Sequence, residues 1–247
     1  MKKRIKIITT LILVMVMSLM TIVITGCKEE KVIKMGTNAA FPPFEYIEGG
    51  KFAGIDIELS EAIAKDLGME LKVENMEFGS LIDALSSGKV DFVAAGMSVD
   101  PDREKQVDFT INYYNATQAI IVKGDNESIK GDADLEGKKL GVQTGTTGQD
   151  VAEAIKDAEV SKYDNGMEAV MDLKNGKIDA VVIDNFPAQK YVENNPELKI
   201  VEGDFEEEYY AMAVKKGNTE LLEKINATLQ KLIDDGTYQE ILDKYTN

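Results

Sequence analysis

The chain has 247 residues, 44% hydrophobic and 29% charged, a balance that fits one large or two small globular domains and excludes a disordered polymer. Formal net charge is −16; the first 26 residues hold four of the basic groups and no acid, so the remainder carries −20, which argues against a nucleic-acid partner, whose backbone needs basic neutralisation. There is no histidine and no tryptophan, and Cys27 is the single cysteine, which together exclude serine–histidine triads, cysteine–histidine pairs, ordinary zinc sites and an intrachain disulfide.

Residues 1–27 read as a targeting segment. Lys2, Lys3, Arg4 and Lys6 form a basic region, residues 7–24 are apolar apart from small hydroxyls, and Ile24-Thr25-Gly26-Cys27 follows. This resembles the bacterial lipoprotein signal, in which a small residue precedes a cysteine that is acylated and becomes the new amino terminus. An uncleaved membrane anchor is the other reading of the apolar run. Both place residues 28–247 outside the cytoplasmic membrane. On the first, residues 1–26 are the signal and 27–31 a lipidated tether.

Further on, alternation predicts a strand over 32–36. Pro42-Pro43 between Phe41 and Phe44 prohibits helix and predicts a rigid loop. Ile55, Leu59, Ile63 and Leu67 form a helical stripe closed by Gly68, so 56–67 is predicted helical. Strands are expected at 70–73, 90–95 and 117–122 and a helix at 79–85, with Asp100-Pro101 as a cap and first turn. A second unit repeats the pattern. Strands are expected at 139–142, 178–183, 198–201 and 209–214, and helices at 146–156, 167–174 and 185–192. Two closing helices around Gly236 complete it. Alternating strands and helices predict parallel α/β sheets.

One phrase occurs twice, 88 residues apart. Leu85-Ser-Ser-Gly88-Lys89-Val90-Asp91-Phe-Val93 matches Leu173-Lys-Asn-Gly176-Lys177-Ile178-Asp179-Ala-Val181. Each copy ends a helix and begins a strand. Two similar lobes are expected, with strand ends at Ala95-Gly96 and at Ile183-Asp184 facing one cleft.

Three motifs fail. Asp132-Ala-Asp134 starts like a calcium loop, but position twelve is Gln143 where glutamate is needed. Gly145-Thr-Thr-Gly148 lacks the Gly-Lys-Ser/Thr of a phosphate loop. Gly96-Met-Ser98-Val-Asp100 lacks the final glycine of a nucleophile elbow, and no histidine could activate its serine. What remains is Arg103 beside one strand end, a planar fork suited to a carboxylate, and Asp184 at the other, suited to an ammonium. Arg103 could also be a solvated charge, and Asp184 could simply cap the next helix.

From Val32 to Tyr245 the chain resembles the amino-acid-binding proteins of bacterial ATP-binding-cassette (ABC) importers, extracellular solute-binding family 3. The resemblance rests on Gly36-Thr-Asn38-Ala-Ala-Phe41-Pro-Pro-Phe44-Glu45, Phe52-Ala-Gly54-Ile-Asp56-Ile-Glu58-Leu59 and Ala95-Gly96-Met-Ser98-Val-Asp-Pro-Asp-Arg103. Val107-Asp108-Phe109-Thr110, Gly141-Val-Gln143-Thr-Gly145-Thr-Thr147, Asp179-Ala-Val-Val-Ile-Asp184 and Asp235-Gly236-Thr-Tyr238 follow in order.

It implies an α/β, two-lobed periplasmic-binding-protein-like fold of type II with two crossovers and a ligand cleft between the lobes. Residues 32–113 plus 212–247 would form lobe 1 and 118–208 lobe 2. It further implies that Arg103 grips a ligand α-carboxylate with the hydroxyl and amide of Ser98 and the amide of Thr147. The Gly96 carbonyl and Asp184 would hold the α-ammonium, with Ala95 beside them, and Phe41 and Phe78 would sandwich the side chain. Asn38 and Gln143 depart from the pattern. Asn38 stands where many glutamine and basic-residue binders carry aspartate, and Gln143 where some glutamine binders have lysine. Residues 141–150 and 184–196, by contrast, look most like arginine/lysine binders.

The implied function is a lipid-anchored receptor, attached through Cys27, that captures a polar L-amino acid and hands it to an ABC permease. The ligand would be basic, such as arginine or lysine, or glutamine-like. No cofactor and no metal are expected, and the chain is expected to act as a monomer. A ligand-binding sensory module is the alternative, or a dehydratase-like enzyme using Glu45 or Asp184 as acid or base.

Overall fold

A computed structural model describes residues 31–246, and residues 32 onward form one compact unit. The expected signal and Cys27 lie outside the described residues. Among the described residues no helix is long and apolar enough to cross a membrane.

Two sheets organise the unit. The first has the order β4 (Glu70–Asn75), β1 (Val32–Thr37), β5 (Phe92–Val93), β13 (Ala213–Lys215) and β6 (Val107–Phe109). The second has the order β11 (Leu198–Val201), β7 (Tyr114–Lys123), β10 (Ala180–Asp184), β8 (Lys139–Gln143) and β9 (Glu159–Tyr163). One further strand, β12 (Glu207–Tyr210), pairs antiparallel with the start of β7, Glu208 opposite Ala116. The chain therefore passes from one sheet to the other along β7 and returns along β12.

The sheets are mixed where parallel ones were expected. β4, β1 and β5 run parallel, as do β9, β8 and β10, but β13 runs antiparallel to β5 and β6, and β7 runs antiparallel to β10 and β11. Each antiparallel member lies at or just beyond a passage between sheets, where no crossover helix intervenes to restore the direction. The strand expected at 209–214 accordingly splits into β12 and β13 at Ala211-Met212, where the chain changes sheets. A hairpin of β2 (Tyr46–Glu48) and β3 (Lys51–Ala53) around Gly49-Gly50 was not anticipated.

Both copies of the repeated phrase fold alike. Gly88 and Gly176 take φ of 75° and 71°, the left-handed conformation that ends a helix and that glycine enters without strain. Lys89 N then donates to Ala84 O and Lys177 N to Asp172 O, closing each helix. Asp91 and Asp179 do the same work in the two sheets. Each accepts from the amide that opens or enters a neighbouring strand, Lys34 N at 2.7 Å and Lys139 N at 2.8 Å, and each returns its own N–H to that residue's carbonyl. These are scaffold contacts that set strand register.

Helices cover the sheets. Ile55, Leu59 and Ile63 of the helix Ile55–Asp66 are fully buried, as the spacing predicts. The helix Thr219–Asp234 packs against it through Ile225, Leu229 and Leu232, with Thr228 Oγ1 donating to Asp66 Oδ2 at 3.0 Å. The last helices thus return to the first sheet.

Candidate functional site

β5 was expected to run to residue 95 but ends at Val93. The reason lies two residues on. Gly96 has φ of +51°, and a Cβ there would stand 2.8 Å from the Phe41 ring. The chain turns, and the Phe41 ring closes over a backbone that only glycine supplies. Gly96 N is held by Asp56 Oδ2 at 2.8 Å, so its position is set from behind.

Beyond the turn, Ser98 lies opposite Tyr210 in an isolated antiparallel bridge. The flanking bonds are Val99 N to Tyr209 O and Ala211 N to Met97 O. Ser98 therefore occupies the non-hydrogen-bonded position of the pair, and its own N–H and C=O point away from Tyr210. The C=O accepts from Arg103 Nη1 at 2.7 Å.

Arg103 comes from the short helix Pro101–Glu104, whose expected cap is present: Asp100 Oδ1 accepts from Asp102 N and Arg103 N. The guanidinium is 8% exposed, so it is not a solvated charge. Nε pairs with Asp100 at 2.8 Å, Nη2 donates to Gly145 O at 3.0 Å, and the group stacks 5.3 Å from the Phe78 ring centroid. Asp100 thus caps the helix and aims the arginine. Asp100→Ala should lower stability by about 1 kcal/mol, read by urea unfolding. It should also weaken ligand capture, which a change in the cap alone would leave intact.

On the second sheet, Thr146 Oγ1 accepts from Gln149 N and donates to Gln143 O, fixing the loop that opens the helix Thr147–Ala154. Amides in a first helical turn have no intrahelical acceptor. Asp184 precedes the helix Asn185–Glu193 but makes no side-chain cap bond. Its carboxylate, 6% exposed, instead accepts from Gln118 Nε2 at 2.8 Å.

These residues surround one pocket with about 290 Å³ of free space, part of it open to solvent. All ten site residues singled out in the sequence line it: Asn38, Phe41, Phe78, Ala95, Gly96, Ser98, Arg103, Gln143, Thr147 and Asp184. Glu45 and Thr146 line it too. At one end Gln143 Nε2 donates to Asn38 Oδ1 at 3.1 Å, and Asn38 Nδ2 to Met76 O at 2.8 Å, a neutral amide wall. Arg103, beside Ser98, and Asp184, beside Gln118, supply an anion-binding and a cation-binding part of the same lining.

The cavity joins elements of both sheets, and its matching relatives share the whole unit. Residues 33–247 match the family described as Bacterial extracellular solute-binding proteins, family 3. The chain belongs to this family. It is 36% identical over 227 residues to ABC transporter arginine-binding protein 1 of Escherichia coli (strain K12), covering 89% of this chain and 93% of that one. Among solved structures, an ancestral arginine-binding protein bound to arginine superposes with a TM-score of 0.84 at 47% identity, covering 88% of this chain and 99% of the other. An ancestral arginine-binding protein bound to glutamine superposes with a TM-score of 0.82 at 48% identity, covering 88% of this chain and 98% of the other. Membership makes the chain a solute-binding protein of the two-lobed α/β fold that acts outside the cytoplasm.

Within this family member the electrostatics are uneven. Burial, and then the charge of Glu208, push the Asp184 carboxyl up to about 8. Behind Phe41, Glu45 and Asp56 are both fully buried. Burial and the Asp56 charge drive Glu45 well above the usual carboxylate range, and burial lifts Asp56 to about 6. Two buried carboxyl groups so placed favour a proton on Glu45, while Asp56 Oδ2 accepts from Gly96 N at 2.8 Å and from Tyr113 Oη at 2.9 Å. Among the described residues no group of three or more carboxylates, histidines or cysteines could hold a metal ion.

Sequence reading missed two residues behind the cavity. Glu208 sits in the acidic run Glu206-Glu207-Glu208, which reads as a solvated face, and Gln118 is an inward polar residue in an apolar strand. The second is a readable signal, because buried amides in a strand need partners.

Proposed function

We propose that this solute-binding protein captures a polar L-amino acid with a cationic side chain, of the arginine class, and delivers it to an ABC permease. Glutamine is the neutral ligand next in line. The carrying observation is a charge imbalance. Asp184 and Glu208 stand together, while the nearby guanidinium of Arg103 is already paired with Asp100. A buried carboxylate that is held protonated by its surroundings is a receptor for a cation.

In this reading the α-ammonium meets Asp184 and the Gly96 carbonyl. The α-carboxylate meets Arg103 and the amides of Ser98 and Thr147, the latter at a helix amino terminus that favours anions. Phe41 and Phe78 flank the side chain, which runs toward Asn38 and Gln143. We further propose lobes of residues 32–113 plus 212–247 and 118–208, which close because the ligand touches both only when they are together. Acylated Cys27 would hold the protein at the membrane. Similarity to arginine-binding protein 1 of Escherichia coli and to an ancestral arginine-binding protein supports the ligand class, and a histidine-binding relative of Campylobacter jejuni at 37% identity is consistent with a basic side chain.

Isothermal calorimetry of the chain from Lys28 against the twenty amino acids tests this. L-arginine should bind most tightly, and absence of heat with every basic amino acid and glutamine would overturn the reading. Asn38→Asp adds a carboxylate to the neutral wall. It should raise selectivity for arginine over glutamine by about tenfold, or ~1.4 kcal/mol. Unchanged selectivity would show that the side chain does not reach that wall.

A further inference from the structure

We propose that Glu208, with Gln118 as its bridge, is a positioning residue that couples the anion-binding and cation-binding ends of the cavity. The proposal rests on the amino-acid-receptor reading but concerns a residue outside the cavity lining.

Glu208 lies on β12, the return passage between the sheets, half-buried. Its Oε2 accepts from Ser98 Oγ at 2.5 Å and from Thr147 Oγ1 at 2.7 Å. Its Oε1 accepts from Gln118 Nε2 at 2.8 Å, and that same nitrogen donates to Asp184 Oδ1. Four residues from separate segments, 118 on β7, 98 after β5, 147 opening a helix and 184 ending β10, thus converge directly or through one amide on a single carboxylate.

The donor count decides what this does. A hydroxyl has one proton to give. Ser98 and Thr147 give theirs to Glu208, so neither hydroxyl has one left for a ligand anion. The anion end is left with the Arg103 guanidinium and the two backbone amides. Glu208 fixes both residues that carry those amides, one beside each sheet. It also places a second negative charge beside Asp184. The other groups acting on Asp184 are Arg103 and the Tyr210 hydroxyl, and Tyr114 and Glu45 complete the titratable neighbours. Of these, Glu208 is the largest source of repulsion after burial itself. The residue therefore orients the anion end and sharpens the demand of the other end for a cation.

Glu208→Gln removes the charge and keeps the size. The Asp184 carboxyl titration, followed by carbon-detected NMR on the ligand-free chain from Lys28, should move down by about one pH unit. An unmoved titration overturns the proposal, and this arm holds whether or not an amino acid binds. The second arm is affinity for L-arginine between about pH 6 and 8.5. Wild-type affinity should rise with pH as Asp184 gives up its proton to admit the ammonium. In Glu208→Gln the rise should begin at lower pH, and maximal affinity should fall because the amides of Ser98 and Thr147 lose their common anchor. A uniform loss at every pH would mean a purely structural tie and would overturn the coupling. If wild type binds no amino acid, the receptor reading fails, and the titration arm still decides the role of Glu208.

Discussion

Arg103→Ala should reduce affinity for the amino-acid ligand by about 30-fold or more, equivalent to ~2–5 kcal/mol for stranding a desolvated carboxylate without its partner. The guanidinium is buried, tied to Ser98 O, Gly145 O and Asp100, and stacked on Phe78, so its position is set before ligand arrives. Preorganisation makes its loss expensive, because no other cation among the lining residues can take its place. Arg103→Lys should recover little, since an ammonium offers a point charge in place of a planar fork. Two controls separate binding from folding. Thermal unfolding should show the variant folded, and the amide of the ligand, which lacks the carboxylate, should bind wild type and variant with similar weak affinity. An Arg103→Ala protein that binds L-arginine like wild type would remove the carboxylate receptor from the site.

The second large effect concerns Asp184, and it has opposite signs for binding and stability. Asp184→Asn keeps the shape and removes the charge, so ligand affinity should fall by about 30-fold or more (~2–5 kcal/mol). Ligand-free stability should move the other way at alkaline pH. An unfolded aspartate titrates near ~3.9, whereas Asp184 in the folded chain titrates at about 8. Between these values the folded state holds a proton that the unfolded state has lost. Stability from this group is therefore greatest below the unfolded value, declines as pH rises through the window, and levels off above the folded value. Asparagine has no such slope. At pH 9 the variant should exceed wild type by about 5 kcal/mol, ~1.4 kcal/mol for each of the roughly four pH units between the two values, or roughly 10–20 °C in Tm, and at pH 4 the difference should vanish. Glu45 and Asp56 add slopes of the same sign; their largest cause, burial, is common to both proteins and cancels, and the Asp184 charge is the last and smallest contributor on Glu45. Thermal scans at several pH values check this, and parallel curves for the two proteins would contradict it.

Much of this site is visible in local sequence. Gly88 and Gly176 stop helices because φ near +70° is open to glycine, and Asp91 and Asp179 pair with neighbouring strands in the same way. Asp100-Pro101 reads as a cap and is one. The helical stripe of Ile55, Leu59 and Ile63 is buried as spaced. The lining residues follow strand ends or lie in the segments shared with the family. The Gly49-Gly50 hairpin has a local signal too, a glycine pair between short extended runs.

Other features have no local signature. The antiparallel strands β7 and β13 look like any apolar run, since direction depends on which sheet the chain enters next. Glu208 looks like the other acids around it, and nothing near it in sequence announces Ser98, 110 residues away, or Gln118, 90 away.

By itself, then, the sequence determined the helices, the strand starts, the two matching glycine stops and the short list of residues able to take an anion or a cation, because those follow from periodicity, backbone preference and side-chain chemistry. Tertiary structure alone decided that Ser98 and Thr147 spend their hydroxyls on Glu208, that Gln118 bridges it to Asp184, and that burial leaves Asp184 short of a cation. Those outcomes depend on distances between segments that only sheet packing brings together, and on the loss of water that packing enforces.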